Sequence, residues 1–473
     1  MSYTLIFSLL LAIFHAIGIA TALHALYNSR SSQGAIAWVL FLMMVPLLAV
    51  PSYFVLGQTR FAGYRERIKT MLDVHRAIFA EYRARLSEHR VLANSGREMD
   101  PLEHIAGADI LSGNKLELLI NGEQTFSAIF DAIDGATNYI LVEFFIIKDD
   151  GLGRRFKEHL IRKARQGVSV FVLYDEVGSN KLPASYTREL KEAGIHTHCF
   201  HTRQGLGNFF QVNFRNHRKI VVVDGAIAFV GGHNVGDEYL GISKKFSAWR
   251  DTHVSVRGPS VLPLQGVFCA DWVWATGTLP TISIPAINAV GESEVLVVAT
   301  GPADPNDRCT LLFLEAITRA KERVWIASPY FVPDESILRA LQLAAMRGVD
   351  VRVLLPEKAD HLMVWLASFS YVPEVTAAGV KVYRYTQGFL HQKVFVVDDT
   401  VSAVGTANLD NRSLRLNFEV TAVVFDPSFC ARVAQMLEAD FAKSRDVSSM
   451  TFGELSLAMK LGSKAARLFS PIL

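Results

Sequence analysis

Two stretches with the same spacing decide the fold: HRKIVVVDGAIAFVGGHN at residues 217–234 and HQKVFVVDDTVSAVGTAN at residues 391–408. Both fit the pattern H-x-K-x4-D-x6-G-x-x-N without a gap. The valines and isoleucines that follow each lysine predict a buried strand, and the Asp-Gly or Asp-Asp pair after them predicts the turn of a hairpin. Two identical frames in one chain indicate an active site assembled from two halves.

The histidine and lysine of each stretch point to chemistry on a phosphate. Because side chains alternate along a strand, His217 and Lys219 share one face, as do His391 and Lys393. A single histidine in a strand is more often a core or surface residue, but a repeated H-x-K at a matched distance from a repeated asparagine favours catalysis. An imidazole nucleophile and a cation from each half predict a phosphodiester pocket that requires no metal and no cofactor.

The later residues of each stretch have other expected roles. We group Asp224 and Asp398 with the catalytic motif, but their opposite parity at the turn indicates that they hold the hairpin rather than carry protons. Asn234 and Asn408 are expected to bind the substrate phosphate as neutral donors. The glycines ahead of these asparagines are expected to let the backbone approach a ligand closely: Gly231, Gly232 and Gly405.

The regions around the two motifs also repeat. ARQGVSVFVLYDE in the first half and AMRGVDVRVLLPE in the second are the same element. The predicted strand, helix and strand lie at residues 139–147, 154–166 and 167–173, and again at 324–327, 335–347 and 348–355. The fold class is therefore predicted as α/β, with two tandem α/β domains related by a pseudo-twofold axis and the motif hairpins at their interface.

The chain begins with two apolar segments, residues 5–26 and 36–56, neither of which contains a charged residue. Each is long enough to cross a bilayer as a helix, and a cleaved signal peptide is the less favoured alternative for the first. Pro46 and Pro51 are expected to kink the second. Because Arg30 alone lies between the segments, the basic residues that follow place both termini and the catalytic domains in the cytoplasm: Arg60, Arg65, Arg67 and Lys69.

Two further segments have amphipathic patterns. Residues 61–90 predict a helix that either lies on anionic lipid headgroups or packs on the catalytic domains, and residues 93–107 resemble a linker. The tail predicts a membrane-surface helix, with a helix docked on the second domain as the alternative. The resulting division has two transmembrane helices at 1–58, a juxtamembrane helix and linker at 59–112, two catalytic domains at 113–285 and 286–447, and an amphipathic segment at 448–473.

Composition limits the remaining possibilities. The 473 residues carry a net charge of +2, too small to indicate a nucleic-acid partner, and none is expected. The four cysteines are scattered without a C-x-x-C pair, which argues against a zinc site and a disulfide framework. The oligomeric state is left open.

The repeated motif resembles that of the phospholipase D superfamily, and the details resemble the bacterial cardiolipin synthases. The runs that carry the resemblance are RSSQGAIAWVL, RNHRKIVVVD, WRDTHV, SPYFVPDE and the closing LFSPIL, and they span nearly the whole chain. The resemblance implies a multi-pass enzyme of the bacterial inner membrane, acting on phosphatidylglycerol among the membrane lipids. It also implies metal-free catalysis in two steps with retention at phosphorus.

The resemblance also implies roles for individual residues. His217 would attack the lipid phosphorus, and His391 would protonate the departing glycerol and then deprotonate the incoming alcohol. An acidic residue downstream of each motif would orient the histidine of the other half, Glu419 for His217 and Asp251 for His391. The alternative is that these carboxylates are surface groups paired with arginines. The groups expected to hold the nonbridging oxygens are Lys219, Lys393, Asn234 and Asn408.

The reaction implied is transfer of a phosphatidyl group from one phosphatidylglycerol to another, giving cardiolipin and glycerol. Three alternatives stay open at the sequence level. The first is a hydrolase or nuclease of the same superfamily, and the second is a phosphatidyltransferase that uses phosphatidylethanolamine or forms phosphatidylserine. The third, a non-catalytic membrane scaffold, is disfavoured because both motifs are intact.

Overall fold

The computed structural model describes residues 3–29, 32–57, 60–91, 99–203, 208, 212–242, 248–283, 286–358 and 360–473. The domain boundaries predicted after residues 58 and 285 lie outside these residues, as does the first part of the predicted linker. The main strands of the two halves are β1 (Leu111–Ile120), β2 (Tyr139–Phe144), β3 (Ser169–Asp175), β4 (His196–Phe200), β6 (Ile220–Val223), β7 (Ile227–Gly231) and β9 (Thr252–Arg257), then β10 (Ser293–Thr300), β11 (Arg323–Ala327), β13 (Asp350–Pro356), β14 (Lys381–Tyr385), β16 (Val394–Val397), β17 (Val401–Gly405), β19 (Asn417–Phe425) and β20 (Ser444–Asp446).

These strands form one sheet that runs through both halves. Its order is β4-β3-β2-β6-β7-β9-β1 in the first half and β10-β19-β17-β16-β11-β13-β14-β20 in the second. β2, β3 and β4 are parallel, as are β11, β13 and β14, whereas each motif forms an antiparallel hairpin, β6–β7 or β16–β17. β1 and β10 pair antiparallel at the centre. Read outward from this central pair, the two halves have the same strand order, as expected for the predicted pseudo-twofold arrangement.

Helices cover both faces of the sheet because its strands are apolar on both sides. Ile220 and Val222 point into one core, which also contains residues of the helices Val261–Thr276 and Pro427–Phe441. Val221 and Val223 point into the core on the opposite face of the sheet. The helices of this body are α6 (Pro101–Ala106), α7 (Asn121–Asp134), α8 (Gly151–Arg165), α9 (Ala184–Glu192), α10 (Val261–Thr276), α11 (Arg308–Arg319), α12 (Glu335–Met346), α13 (Leu362–Thr376), α14 (Asn411–Arg415), α15 (Pro427–Phe441) and α16 (Leu457–Leu468).

Five short strands complete the body and join its parts. β5 pairs with β19, β8 with β15, and β12 with β18. The first two pairs each take one strand from each half, so the halves exchange backbone next to the motifs. These short strands are β5 (Arg215–Asn216), β8 (Trp249–Arg250), β12 (Phe331–Val332), β15 (Phe389–Leu390) and β18 (Leu409–Asp410).

The apolar N-terminal region contains α1 (Tyr3–Asn28), α2 (Ser32–Met44), α3 (Pro46–Ser52) and a π-helical turn at Tyr53–Gly57. Among the described residues, one helix, Ile6–Asn28, is by itself long and apolar enough to cross a membrane. The second segment is broken at Val45, so the kink expected at Pro46 is confirmed. His24 contacts Tyr53 Oη across the helix interface through Nδ1 (2.9 Å). The crossing of the membrane by both segments stays a prediction.

The juxtamembrane region differs from its prediction in two ways. The single helix expected at 61–90 is two helices, α4 (Tyr64–Val74) and α5 (Arg76–Ser87), which pack on the body where Tyr64 Oη donates to Asp271 (2.5 Å) and Tyr82 Oη to Leu262 O (3.2 Å). The linker interpretation is wrong for α6, whose first turn is closed by a capping box between Asp100 and Glu103. This helix packs against the second half of the body.

The C-terminal helix α16 docks on α13 of the second half, which is the alternative that the sequence left open. Ser463 and Ala466 are buried in this contact. Three leucines on α16 stay exposed: Leu457, Leu461 and Leu468. The docked helix therefore keeps an apolar outer stripe, and its contact with a membrane stays a prediction.

Candidate active site

The exchanged strands carry the motif histidines into the interface between the halves. Directly after β5, the backbone N–H of His217 donates to Phe418 O on β19 (2.9 Å). Directly after β15, the N–H of His391 donates to Arg250 O on β8 (2.8 Å). Each catalytic candidate is thus fixed by the backbone of the opposite half, which requires both halves to be folded and docked.

Each motif histidine also contacts a buried carboxylate of the opposite half. Nδ1 of His217 lies 2.9 and 3.0 Å from the carboxylate oxygens of Glu419, and Nδ1 of His391 lies 2.7 Å from Oδ2 of Asp251. Both carboxylates are fully buried. The crossed pairing that the family resemblance implied is present in the structure. With Nδ1 engaged, Nε2 is the nitrogen of each ring available for chemistry.

The carboxylates do not form ion pairs with the arginines that were their alternative partners. The Arg250 guanidinium binds the buried carboxylate of Asp440 (2.7 Å). The Arg412 guanidinium donates to the backbone oxygens of Ile472 and Asn213. The interpretation of Asp251 and Glu419 as surface carboxylates is therefore wrong.

Burial favours the neutral form of both imidazoles. Burial lowers the pKa of His217 to about 4, against the opposing charge of Glu419. Burial likewise holds the pKa of His391 well below its ordinary value, and the charges of Lys393 and Lys219 lower it further. Because Lys393 of one motif acts on His217 of the other, the two motifs lie within electrostatic reach of each other. A neutral ring nitrogen is the form that can attack phosphorus.

The two motif lysines are buried beside the histidines. Lys219 Nζ donates to His217 O (2.6 Å), and Lys393 Nζ donates to His391 O. Burial lowers the pKa of Lys219 to about 7 and that of Lys393 to about 8, against the opposing charges of nearby carboxylates. Burial raises the pKa of Glu419, but the hydrogen bonds from His217 and Thr406 and the charge of Lys219 outweigh it, so the net pKa is lowered. The result is a buried cluster of lysines and imidazoles that would strongly stabilise an anion.

A pH profile should report these depressed lysine pKa values. A lysine whose pKa is lowered loses its charge at lower pH than usual, so kcat/KM should fall as pH rises through about 7 to 8, where Lys219 and Lys393 deprotonate. Lys219→Arg, which stays charged, should move this alkaline limb to higher pH even if it lowers the maximum. Initial rates measured across the pH range in mixed micelles with an uncharged detergent test this. A kcat/KM that stays constant up to about pH 9.5 would contradict it.

The two asparagines are placed differently. Asn234 is engaged within the fold, since Oδ1 accepts from Ile146 N (3.1 Å) and Nδ2 donates to Tyr239 Oη (3.0 Å). Asn408 is buried, and its Oδ1 has no hydrogen-bond partner among the described residues. A side-chain amide has two N–H donors, so each asparagine can still offer one to a phosphate oxygen. Their phosphate-binding role stays a prediction.

The motif glycines do not face a ligand space, contrary to the expectation. A Cβ on Gly231 would lie 2.5 Å from Thr252 O on the neighbouring strand, and a Cβ on Gly232 would lie 2.0 Å from Asp251 Oδ1. Gly405 would meet Thr421 in the same way. These glycines are required because strand and carboxylate pack directly on the return strand of each hairpin.

Asp224 and Asp398 lie at the far ends of β6 and β16 from the histidines and brace the hairpin turns. Asp398 accepts from the backbone N–H groups of Lys321, Glu322 and Arg323, and Asp224 makes the equivalent contacts at 137–139. The backbone φ is +53° at Asp224 and +47° at Asp398, and both values lie in the left-handed region. Their grouping with the catalytic residues is therefore not supported, whereas the structural interpretation fits every contact.

Asp398→Ala should lower the free energy of unfolding by about 1–3 kcal/mol, because three backbone N–H groups lose a charged acceptor and a left-handed position loses a tolerant residue. The adjacent Asp399→Ala is the matched control, since it removes an exposed ion pair with Arg323 worth at most about 1 kcal/mol. Thermal unfolding and specific activity of the folded fraction measure both. Equal effects of the two substitutions would contradict the bracing role.

Sequence reasoning missed the aromatic and polar groups that enclose the histidines. The ring of Phe145 lies 5.1 Å from His217, and that of Trp249 lies 5.1 Å from His391, centroid to centroid. Arg218, the central residue of the first H-x-K, forms a buried ion pair with Asp271 (2.6 Å). Strand parity could have placed Arg218 on the face opposite His217, but nothing local in the sequence identifies its partner.

Comparison with known proteins agrees with this geometry. A family described as "Cardiolipin synthase, PLD-like domain" matches residues 129–245 and 313–443. Cardiolipin synthase A of Pseudomonas putida strain GB-1 is 49% identical over 473 residues, covering 99% of this chain and 98% of that one. The chain belongs to the cardiolipin synthase family. In this chain each of the two matched regions contains one H-x-K motif, so the family model matches both copies of the internal repeat.

Other similarities concern the same family or the fold. Cardiolipin synthase A of Pseudomonas fluorescens strain SBW25 is 48% identical over 469 residues and covers 98% of both chains. The crystal structure of phosphatidylserine synthase from Haemophilus influenzae Rd KW20 superposes with a TM-score of 0.58 at 14% identity, covering 76% of this chain and 95% of that chain. At 14% identity, the similarity to the phosphatidylserine synthase structure concerns the fold alone.

Proposed function

We propose that this enzyme transfers a phosphatidyl group from one phosphatidylglycerol to the hydroxyl of another, releasing glycerol and forming cardiolipin. The observation that carries the proposal is the pair of buried histidines, each held through Nδ1 by a carboxylate of the other half. The chain is 49% identical, over 99% of its length, to a protein named cardiolipin synthase A, and this similarity favours phosphatidyl transfer among the reactions that such a site can perform.

In the first step Nε2 of His217 attacks the phosphorus of the donor lipid. A P–N bond forms, the bond from phosphorus to the glycerol oxygen breaks, and His391, protonated in the substrate complex, gives its proton to that oxygen. The ring of His217 becomes positive when Nε2 bonds to phosphorus. The carboxylate of Glu419, 2.9 Å from Nδ1, stabilises this positive ring.

In the second step a second phosphatidylglycerol supplies its free hydroxyl. His391, now neutral, takes the hydroxyl proton while the oxygen attacks phosphorus and the P–N bond breaks. Asp251 fixes the tautomer and direction of His391. The second step leaves His217 neutral and His391 protonated, as in the donor complex before the first step, so protons and bonds balance over the two steps.

The motif cations and amides are assigned to the phosphate oxygens. Lys219 and Lys393 neutralise the nonbridging oxygens, whose negative charge grows in the pentacoordinate state, and their burial makes each contact stronger than it would be in water. Asn234 and Asn408 add neutral donors. Binding of the anionic donor also supplies the charge that favours the protonated form of His391 required for the first step.

The membrane segments are assigned to hold this site at the inner face of the bacterial inner membrane. We propose that α1 and the kinked segment at 32–57 both span the bilayer, with the catalytic body in the cytoplasm. The basic residues that follow the second segment support this orientation. An interfacial site gives the acceptor lipid an advantage over water.

The deciding experiment supplies the purified full-length protein with phosphatidylglycerol as the sole phospholipid in mixed micelles and follows cardiolipin, glycerol and phosphatidic acid together. Cardiolipin and glycerol in equal amounts support the proposal. Phosphatidic acid as the main product would make the protein a hydrolase. Turnover that requires added phosphatidylethanolamine would assign a different acceptor or donor lipid.

A further inference from the structure

A large cavity lies between the juxtamembrane helices and the catalytic body. It has a volume of about 960 Å³, within the size of ligand pockets, and its lining is mainly apolar. Ile68, Met71 and Phe79 of α4 and α5 form its outer wall. Ala270 on α10 and Ala299 on β10 belong to its inner wall. It is separate from the site described above.

The cavity lies on the face of the sheet opposite to the histidines. Its floor includes Arg218 and Phe418, the chain neighbours of His217 and Glu419, with Phe418 and Glu419 on strand β19 and His217 and Arg218 in the extended segment between β5 and β6. Because successive side chains of a strand point to opposite faces, a molecule in this cavity cannot reach the imidazoles. It could not be the reacting phosphatidylglycerol, so the inference is independent of the proposed function.

The cavity also adjoins the point where the chain leaves its apolar N-terminal region. Phe61 follows shortly after the π-helical turn that ends at Gly57, and its backbone N–H donates to Pro302 O (3.1 Å). The next residue, Ala303, lines the cavity. A cavity mouth so close to a predicted membrane span is open to molecules from the bilayer surface.

Charge at the cavity selects the class of ligand. Four arginines line it: Arg218 in the floor, Arg65 at the start of α4, Arg83 on α5 and Arg308 at the start of α11. Arg65 and Arg83 are exposed, and Arg308 lies 3.8 Å from Asp304, the acidic side chain in the lining. Cations beside an apolar cavity match a molecule with an anionic head and a long hydrocarbon chain.

We propose that this cavity binds an anionic phospholipid of the bilayer, with its acyl chain packed between α4–α5 and α10 and its phosphate beside Arg65 and Arg308. The bound lipid is not turned over. It fills the gap between the membrane anchor and the sheet and so fixes the height of the catalytic body above the bilayer.

The test uses the full chain in nanodiscs that contain either phosphatidylglycerol or phosphatidylcholine with a diazirine at the end of an acyl chain. After photolysis, peptide mass spectrometry locates the adducts. We expect phosphatidylglycerol adducts on peptides covering 64–82 and 263–282, distinct from active-site peptides. Arg65→Gln should lower this labelling about five-fold, because one cation near an anionic lipid contributes about that factor, whereas Arg83→Gln, at the far end of α5, should lower it less.

A filled cavity provides the matched comparison. Ala270→Trp on α10 should remove cavity labelling, whereas Ala442→Trp, exposed at the end of the equivalent helix α15, should leave it unchanged. Equal labelling by phosphatidylcholine and phosphatidylglycerol would overturn the anionic ligand, and labelling confined to active-site or membrane-span peptides would overturn the site itself. If Ala270→Trp fails to fold, the two surface arginine variants still decide. Because no readout is enzymatic, a failure here is distinct from a failure of the transferase proposal.

Discussion

His217→Ala should lower the rate of cardiolipin formation by at least about 10⁴-fold, because the nucleophile that divides the reaction into two steps is lost. His391→Ala should lower it by about 10²–10⁴-fold with the natural donor, since glycerol then departs without a general acid. His104→Ala, an exposed histidine on α6, is the control and should retain full activity. Cardiolipin and glycerol measured in the same reaction mixture check all three variants.

A donor with a better leaving group separates the two roles. If p-nitrophenol replaces the glycerol, its anion departs without a proton, so His391→Ala should regain most of the rate of the first step while His217→Ala should not. The phosphatidyl group should then accumulate on His217 in His391→Ala, because the acceptor hydroxyl also lacks its base. Acid quench and peptide mapping of the adduct measure this.

The assignment can also be reversed by the same experiment. His217 and His391 have equivalent surroundings, since each has a carboxylate at Nδ1 and a nearby lysine. An adduct on His391, with rescue of His217→Ala by the activated donor, would exchange the two roles. Rescue of neither variant, with no adduct on either ring, would contradict a covalent histidine intermediate altogether.

The parts of the fold that the sequence predicted are those with local signals. Val and Ile after each lysine, followed by a turn pair, predicted the hairpins β6–β7 and β16–β17, and the repeated ARQGVSVFVLYDE element predicted the duplicated α/β order. The break before Pro46 was also predictable, because proline removes a helix hydrogen bond. The short helix α6 was missed because its six residues carry no long periodic pattern.

The parts of the site that were not predictable depend on contacts between distant residues. The exchange of β5 and β15 between halves joins residues about 140–200 positions apart, and two-residue strands have no periodicity to detect. The ion pairs Arg218–Asp271 and Arg250–Asp440 are likewise tertiary. A glycine in the motif indicates that the backbone packs closely against another group, but it does not identify that group. The sequence therefore could not distinguish contact with a ligand from contact with the neighbouring strand and carboxylate.

The crossed carboxylates lead to the second large prediction. Glu419→Gln and Asp251→Asn should each lower kcat by about 10²–10⁴-fold with a smaller change in KM, because an amide can present an N–H to Nδ1 and so favour the wrong tautomer of the imidazole. Asp426→Asn is the control for an acid-to-amide change, since it retains an N-cap on α15 remote from the histidines. Thermal unfolding of all three variants separates positioning from misfolding.

The activated donor also tests which carboxylate serves which ring. Glu419 contacts His217, so Glu419→Gln should stay defective with the p-nitrophenyl donor, because attack on phosphorus still needs the correctly oriented nucleophile. Asp251 contacts His391, whose proton this donor does not require, so Asp251→Asn should recover in the first step. Recovery of Glu419→Gln alone would mean that His391 is the attacking residue, and recovery of neither would mean that both carboxylates act on the nucleophilic step. The carboxylates are positioning residues of opposite halves, so a single leaving-group substitution can distinguish them although their contacts with the histidines are nearly the same.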